Sequence, residues 1–174
     1  MTMEPERMIF NFNEVMLFLN FNEIDKLRLK KIYSTIKPVI PKIVNLVIKR
    51  IVDNPKLVGV LKSHSLTTET VQSIFESWLE QVFISDYDTA FAERAYKIAS
   101  VHEKAGIHPK YVILTMTIFI MTVDYVISKM IADRKTIFAY QHSVKKALFL
   151  NMIMTSQSYD DVKRDKVLKS LEYL

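Results

Sequence analysis

Ile40, Ile43, Val44, Val47, Ile48 and Ile51 recur at i, i+3, i+4, i+7, i+8 and i+11, with Lys42, Asn45, Lys49 and Arg50 between them. This period of about 3.6 lays an apolar face along an amphipathic helix. Pro38 and Pro41 open it, and Asn54-Pro55 closes it, because proline suits a first helical turn and disfavours helix in the residue before it. The period returns at Val71, Ile74, Phe75, Trp78, Leu79, Val82 and Phe83, behind the hydroxyl-rich entry SHSLTTET, which offers several N-cap candidates. Leu29, Ile32, Tyr33 and Ile36 mark an earlier helix starting near Asn22. MIFNFNEVMLFL reads as a short helix before that one, and PKLVGVLK as a single helical segment.

A further helix is predicted from about Asp88 to Ala105, with Gly106 placed as the left-handed residue after its end and Pro109 in the first turn of the next. From Pro109 to Ala132, and from about Thr136 to Tyr159, the stretches VILTMTIFIM and ALFLNMIM are apolar nearly all round. Such helices are covered on more than one side, which predicts a subunit interface as well as core. With two glycines and no Asn-Gly or Asp-Gly pair, the chain carries no hairpin signal and reads as all-α. Residues 161–174 are strongly charged, with Val167, Leu171 and Leu174 on a thin seam, and read as the start of a helical connector to a further module.

Composition narrows the function classes. A chain of 174 residues, 49% hydrophobic and 25% charged, can bury one ordinary core. Having no cysteine removes disulfides, thiolate metal sites and thiol nucleophiles, and fits a reducing cytoplasm. The net charge of +5 is scattered among acids, as in NEIDKLRLKK, which argues against nucleic acid as a partner. The longest apolar passage, Tyr111 to Val123, holds 13 residues. That is short of the roughly 17 to 25 of a membrane span, so none is expected. MTMEPERMIFNFNE places acids where an export signal has a basic start, and a cytoplasmic protein is expected.

Phe91, Ala95, Ile98, His102 and Ala105 fall at i, i+4, i+7, i+11 and i+14, so His102 faces inward. A core histidine bonded to a carbonyl accounts for such a position, and so does a ligand. A zinc-protease motif fails, because HEKAGIH has Gly106 where the second histidine belongs. No glycine-rich phosphate loop and no Gly-x-Ser-x-Gly elbow is present, so no catalytic arrangement is visible. The remaining cofactor that needs one protein anchor in an apolar helical pocket is haem on a proximal histidine. His108 sits in the elbow between two helices, and His142 has polar neighbours.

VHEKAGIHPKYV resembles the globin-coupled sensor segment H-x-x-[I/A]-G-[L/I]-x-P-x-[W/Y], matched by His102, Ala105, Gly106, Ile107, Pro109 and Tyr111. IVNLVIKRIVDNP, SHSLTTETVQSIFESWLEQVF and ALFLNMIMTSQSY are similar to three further segments of that family, the last ending at Tyr159. The resemblance implies an all-α globin fold lacking the D helix, with an extra helix before helix A, over residues 1–160. It implies haem b held by His102, with Val47, Phe75, Ile98 and Tyr111 lining the pocket and Val71 on the distal side. It also implies a sensor of oxygen, carbon monoxide or nitric oxide that is not itself an enzyme. Such a sensor forms a homodimer through the last two long helices and signals to a C-terminal output module. The alternative is a haem-free globin-like domain that binds a partner or a fatty acid.

One position departs from the family. Its distal tyrosine, a donor to bound oxygen, aligns with Ile48. A donor facing the partial negative charge on bound oxygen contributes about 1–3 kcal/mol, and isoleucine supplies none. Thr67, Thr68 and His64 are the replacements that could swing in.

Overall fold

A computed structural model describes residues 5–171, with side chains placed from 8 to 159 except at 99 and 158. Eight α-helices make up the described chain: α1 (Pro5–Phe18), α2 (Glu23–Ile36), α3 (Ile40–Val52), α4 (Pro55–Ser63), α5 (Thr68–Ile84), α6 (Thr89–Lys104), α7 (Pro109–Met130) and α8 (Arg134–Leu171). A short 3-10 turn, Lys37–Val39, joins α2 to α3. Each expected helix is present, and no strand occurs among the described residues.

The helix starts follow from side-chain chemistry. Asn22 caps α2 by accepting from the Ile24 N–H, while the Asp25 carboxylate reaches back to the Asn22 N–H. Asn54, Thr67 and Asp88 cap α4, α5 and α6 with their side-chain oxygens. The turn from α5 to α6 contains Tyr87 at φ 55°, a conformation that costs a bulky residue energy. Its ring is held between Phe21 and Phe91, at 4.5 Å from each. Its hydroxyl donates to the Val82 carbonyl.

α3 and α2 form the floor under α5, while α8 is the long central strut that contacts α2, α6 and α7. The apolar stripe of α3 is fully used, with Ile40, Ile43, Val44, Val47, Ile48 and Ile51 all buried. Burying such a side chain contributes roughly 1.5–3 kcal/mol relative to leaving it in water. α5 and α6, adjacent in sequence, pack mainly on different partners and leave a crevice between them.

The expected bounds of α7, Pro109 to Ala132, agree with the observed helix, and two details of the last helices are refined. The 13-residue apolar run understates α7, which over 22 residues is long and apolar enough to cross a membrane. Asp124 interrupts the run in sequence, but within the fold it pairs with Lys145 at 2.5 Å. Val112, Met116, Phe119, Val123 and Ile127 form a buried stripe facing the protein interior, the pattern of a core helix. The last helix, read as ending near Tyr159, runs on to Leu171. No glycine or proline after 159 stops it. The side chains of the seam residues Val167 and Leu171, and all of Leu174, lie outside the described residues.

A buried ionic cluster fixes α8 against α2. Asp25, 2% exposed, accepts from Ser143 Oγ at 2.6 Å and from Lys146 Nζ at 2.9 Å. Burial raises the Asp25 pKa, but these donors and the Asn22 N–H outweigh it and hold the carboxyl below the usual carboxylate range. Removing one partner of a buried pair leaves the other charge uncompensated. Asp25→Ala is therefore expected to cost about 3–5 kcal/mol in urea unfolding at pH 7. A group whose folded pKa is depressed stabilises the fold above its unfolded pKa of about 3.9, and the contribution disappears as pH falls through the lower folded value. The gap between wild type and Asp25→Ala should accordingly stay constant above about pH 5 and close in acid. A gap below about 1 kcal/mol at pH 7 would show that the cluster does not hold α8.

Candidate functional site

The site is built at the last turn of α6. The helix ends in a Schellman motif: the Ile107 N–H donates to the His102 carbonyl at 3.0 Å, and the Gly106 N–H to the Glu103 carbonyl at 2.9 Å. Gly106 takes φ 71°, which an L side chain reaches only with strain. His108 then caps α7, its Nδ1 accepting from the Lys110 N–H at 3.2 Å, with Pro109 in the first turn. Two helix ends are thereby closed within a few residues of His102, which fixes where its ring sits. Tyr159, on α8, donates its hydroxyl to the Ile107 carbonyl at 2.8 Å.

His102 is largely enclosed. Its Nδ1 is buried and makes no hydrogen bond of ordinary geometry. Burial lowers the pKa of the ring, and the Ile98 carbonyl one turn back opposes this only in part. The net shift leaves a neutral imidazole at neutral pH, the form that binds a metal. Among the described residues no group of three or more His, Asp or Glu side chains could hold a metal ion. A metal at His102 would therefore have to bring most of its own ligands, as a porphyrin iron does. A single, largely enclosed and neutral imidazole fits that group.

The crevice between α5 and α6 measures about 390 Å³. Ile98, one turn from His102, lines it together with Ile74, Trp78, Val82, Phe91 and Ala95, and Asn151 of α8 contributes a buried amide. Arg94 stands on the same wall and is the cation there. Arg94 escaped the sequence reading, although its spacing of four from Ile98 and eight from His102 places it near their face. Asn151 was hidden inside an apolar run.

The other anticipated residues divide into two sets. Val47, Ile48 and Val71 are buried core residues, at 0%, 6% and 7% exposure. Phe75 is half-buried and meets Phe119 edge-on at 5.6 Å. Tyr111 is half-buried beside a smaller groove of about 190 Å³, shared with Lys56, Leu57, Val60, Gly106, Ile107, His108 and Lys110. The Lys110 ammonium lies 5.1 Å from its ring centre. Thr67, Thr68 and His64 are exposed and engaged locally. Thr67 caps α5 through the Thr70 N–H, Thr68 donates to Glu69, and the His64 ring lies 3.0 Å from both Ser63 Oγ and the Val60 carbonyl. His108 and His142 are exposed, the latter stacked on Phe138 at 6.0 Å.

Comparison with known proteins bears on the fold and the family. No curated protein matches the sequence. Among solved structures, the chain is similar to the globin domain of the Geobacter sulfurreducens globin-coupled sensor, with a TM-score of 0.79 at 19% identity. The alignment covers 84% of this chain and 96% of that one. At that identity the likeness establishes an all-α globin fold. The sequence model of the Protoglobin family matches residues 10–164, nearly the whole length, and this chain belongs to that family.

Proposed function

We propose that this domain binds haem b through His102 and acts as a gas sensor rather than an enzyme. The observation that carries the reading is one largely enclosed imidazole, kept neutral by burial, one turn from a mostly apolar crevice. Haem would be held by His102 and would supply an iron able to bind a diatomic gas. The chain's own residues do the rest. Ile98, Trp78, Phe91 and Ala95 exclude water from the crevice, and Arg94 offers a cation to a carboxylate of the ligand. The Schellman bonds hold the His102 backbone without using its ring nitrogens.

Val47, Ile48 and Val71, which the family resemblance would put on the distal side, are buried and carry no donor, and the Thr67 hydroxyl is occupied in capping. Oxygen, which depends on a donor, should leave quickly, whereas carbon monoxide depends on one less. Leu114, Met121 and Tyr125 of α7 and Phe138 of α8 are 56–71% exposed. They form the apolar surface through which we place the homodimer, and α8 running on past Tyr159 is the route to an output module. The crevice also favours a second reading. With apolar walls and one arginine it would accept a fatty acid, its carboxylate paired with Arg94, in a domain that never takes haem.

Titrating the purified chain with haem should give a Soret band at one equivalent, strongly reduced and shifted in His102→Ala. If wild type gives no such band but binds a fatty acid in an Arg94-dependent way, the second reading replaces the first. Given haem, Ile48→Tyr should slow oxygen dissociation roughly tenfold or more, the effect of one donor to a charged acceptor, with a smaller change for carbon monoxide. A slow oxygen off-rate in the wild type would show that another side chain supplies the donor.

A further inference from the structure

α1 is apolar on two sides, and the core covers only one of them. Met8, Phe12 and Val15, at i, i+4 and i+7, are buried. Phe10, Leu17 and Phe18 fall on the opposite side of the helix and are 67%, 83% and 90% exposed. Across the turn, Ile24 and Leu27 repeat this on α2 at 58% and 66%, while Asp25, Leu29, Ile32 and Ile36 of that helix face inward. Single exposed apolar side chains are ordinary, but five flanking one helix corner mark a surface that is covered in use.

The exposure is built into the backbone. α1 closes in a Schellman motif: the Phe21 N–H donates to the Met16 carbonyl at 2.9 Å and the Asn20 N–H to the Leu17 carbonyl at 3.0 Å, with Asn20 at φ 48°. The Asn20 carbonyl accepts from Lys146 Nζ at 2.6 Å, the Phe21 ring packs on Tyr87 at 4.5 Å, and Asn22 caps α2. Leu17 and Phe18 cannot fold back onto the core without breaking these bonds.

Charge says what covers them. Arg28 and Lys31 lie at i+4 and i+7 from Ile24, on its side of α2. Lys26 and Lys30 stand in the same helix, paired with Glu23 at 2.7 Å and with Asp86 at 2.6 Å. Asp25 is buried and answered by Lys146, and Glu14 is the exposed acid between Phe10 and Leu17. Apolar tips rimmed by Lys and Arg match the boundary of an anionic bilayer, where acyl chains lie beneath negative headgroups. A corner of two helices is also convex. A bilayer receives projecting side chains without a complementary cavity, which a protein partner would have to supply.

We propose that the α1–α2 corner docks this domain on an anionic lipid surface, with Leu17, Phe18, Ile24 and Leu27 entering the headgroup boundary and Arg28 and Lys31 meeting the lipid phosphates. The attachment is peripheral and reversible, with no helix crossing the bilayer. It does not depend on whether His102 holds haem.

The test is sedimentation of the full chain with vesicles of phosphatidylcholine alone and of phosphatidylcholine mixed with phosphatidylglycerol. The chain should bind the mixed vesicles and not the neutral ones. Replacing Leu17→Ser and Phe18→Ser together should weaken binding roughly tenfold or more, the effect of removing two buried apolar side chains. Arg28→Gln with Lys31→Gln should weaken it about tenfold and reduce its dependence on salt. Because the chain has no cysteine, Phe18→Cys carries a single polarity-sensitive label, whose emission should shift to the blue only with the mixed vesicles. Absence of binding to phosphatidylglycerol, equal binding to neutral vesicles, or binding unchanged in the Leu17/Phe18 variant overturns the proposal. If that variant loses its fold, the label decides, and an emission unchanged by phosphatidylglycerol rejects docking at this corner. Light scattering of the lipid-free chain covers the other occupant: a dimer that disappears in the Leu17/Phe18 variant would make the corner an interface between copies and overturn the lipid assignment.

Discussion

The closure of α6 at Gly106 is the constraint on which the site depends. A helix end leaves several carbonyls without partners, and here the Schellman bonds return two of them, those of His102 and Glu103, to the chain itself. The His102 backbone is thereby fixed while its side chain makes no ordinary hydrogen bond at Nδ1. Its polar neighbour is the Ile98 carbonyl one turn back, which opposes the effect of burial only in part. The Asp25 cluster shows the contrast, a buried polar group served by donors from three residues.

The crevice beside His102 exists because neighbours in sequence are not neighbours in packing. α5 lies on α2 and α3, while α6 lies on α8 and α1. The turn through Tyr87 holds the two together at one end, where a strained backbone is pinned between aromatic rings. Apolar side chains face the gap together with Ser73, Ser77, Gln81, Arg94 and Asn151. The α3 stripe, Ile48 included, is buried in the main core.

Much of this was legible in the residues. The 3.6 periodicity of α3 and α5, the proline openings and the Gly106–Pro109 elbow each follow from local rules, and the fold obeys them. His102 was placed inward by its spacing from Phe91, Ala95 and Ile98 alone. What the sequence hid depends on tertiary contacts. Arg94 reads as an ordinary surface charge until α5 is known to stand opposite. Thr67 and His64 could be donors or local caps, and only the fold shows their atoms already engaged nearby. The Tyr159–Ile107 bond spans 52 residues and has no local signature. The length of α7 was read from the sequence, but its apolar run looked broken at Asp124, which in the fold pairs with Lys145.

The central claim is that His102 is a ligand and not a packed core residue. Replacing it by glycine leaves a hole of imidazole shape, and adding free imidazole to His102→Gly separates the two roles. If His102 is the ligand, the haem-loaded variant loses the ferrous absorption spectrum of the wild type and recovers it when imidazole is supplied. A variant that binds haem as tightly as wild type, with the same spectrum and no response to imidazole, would contradict it.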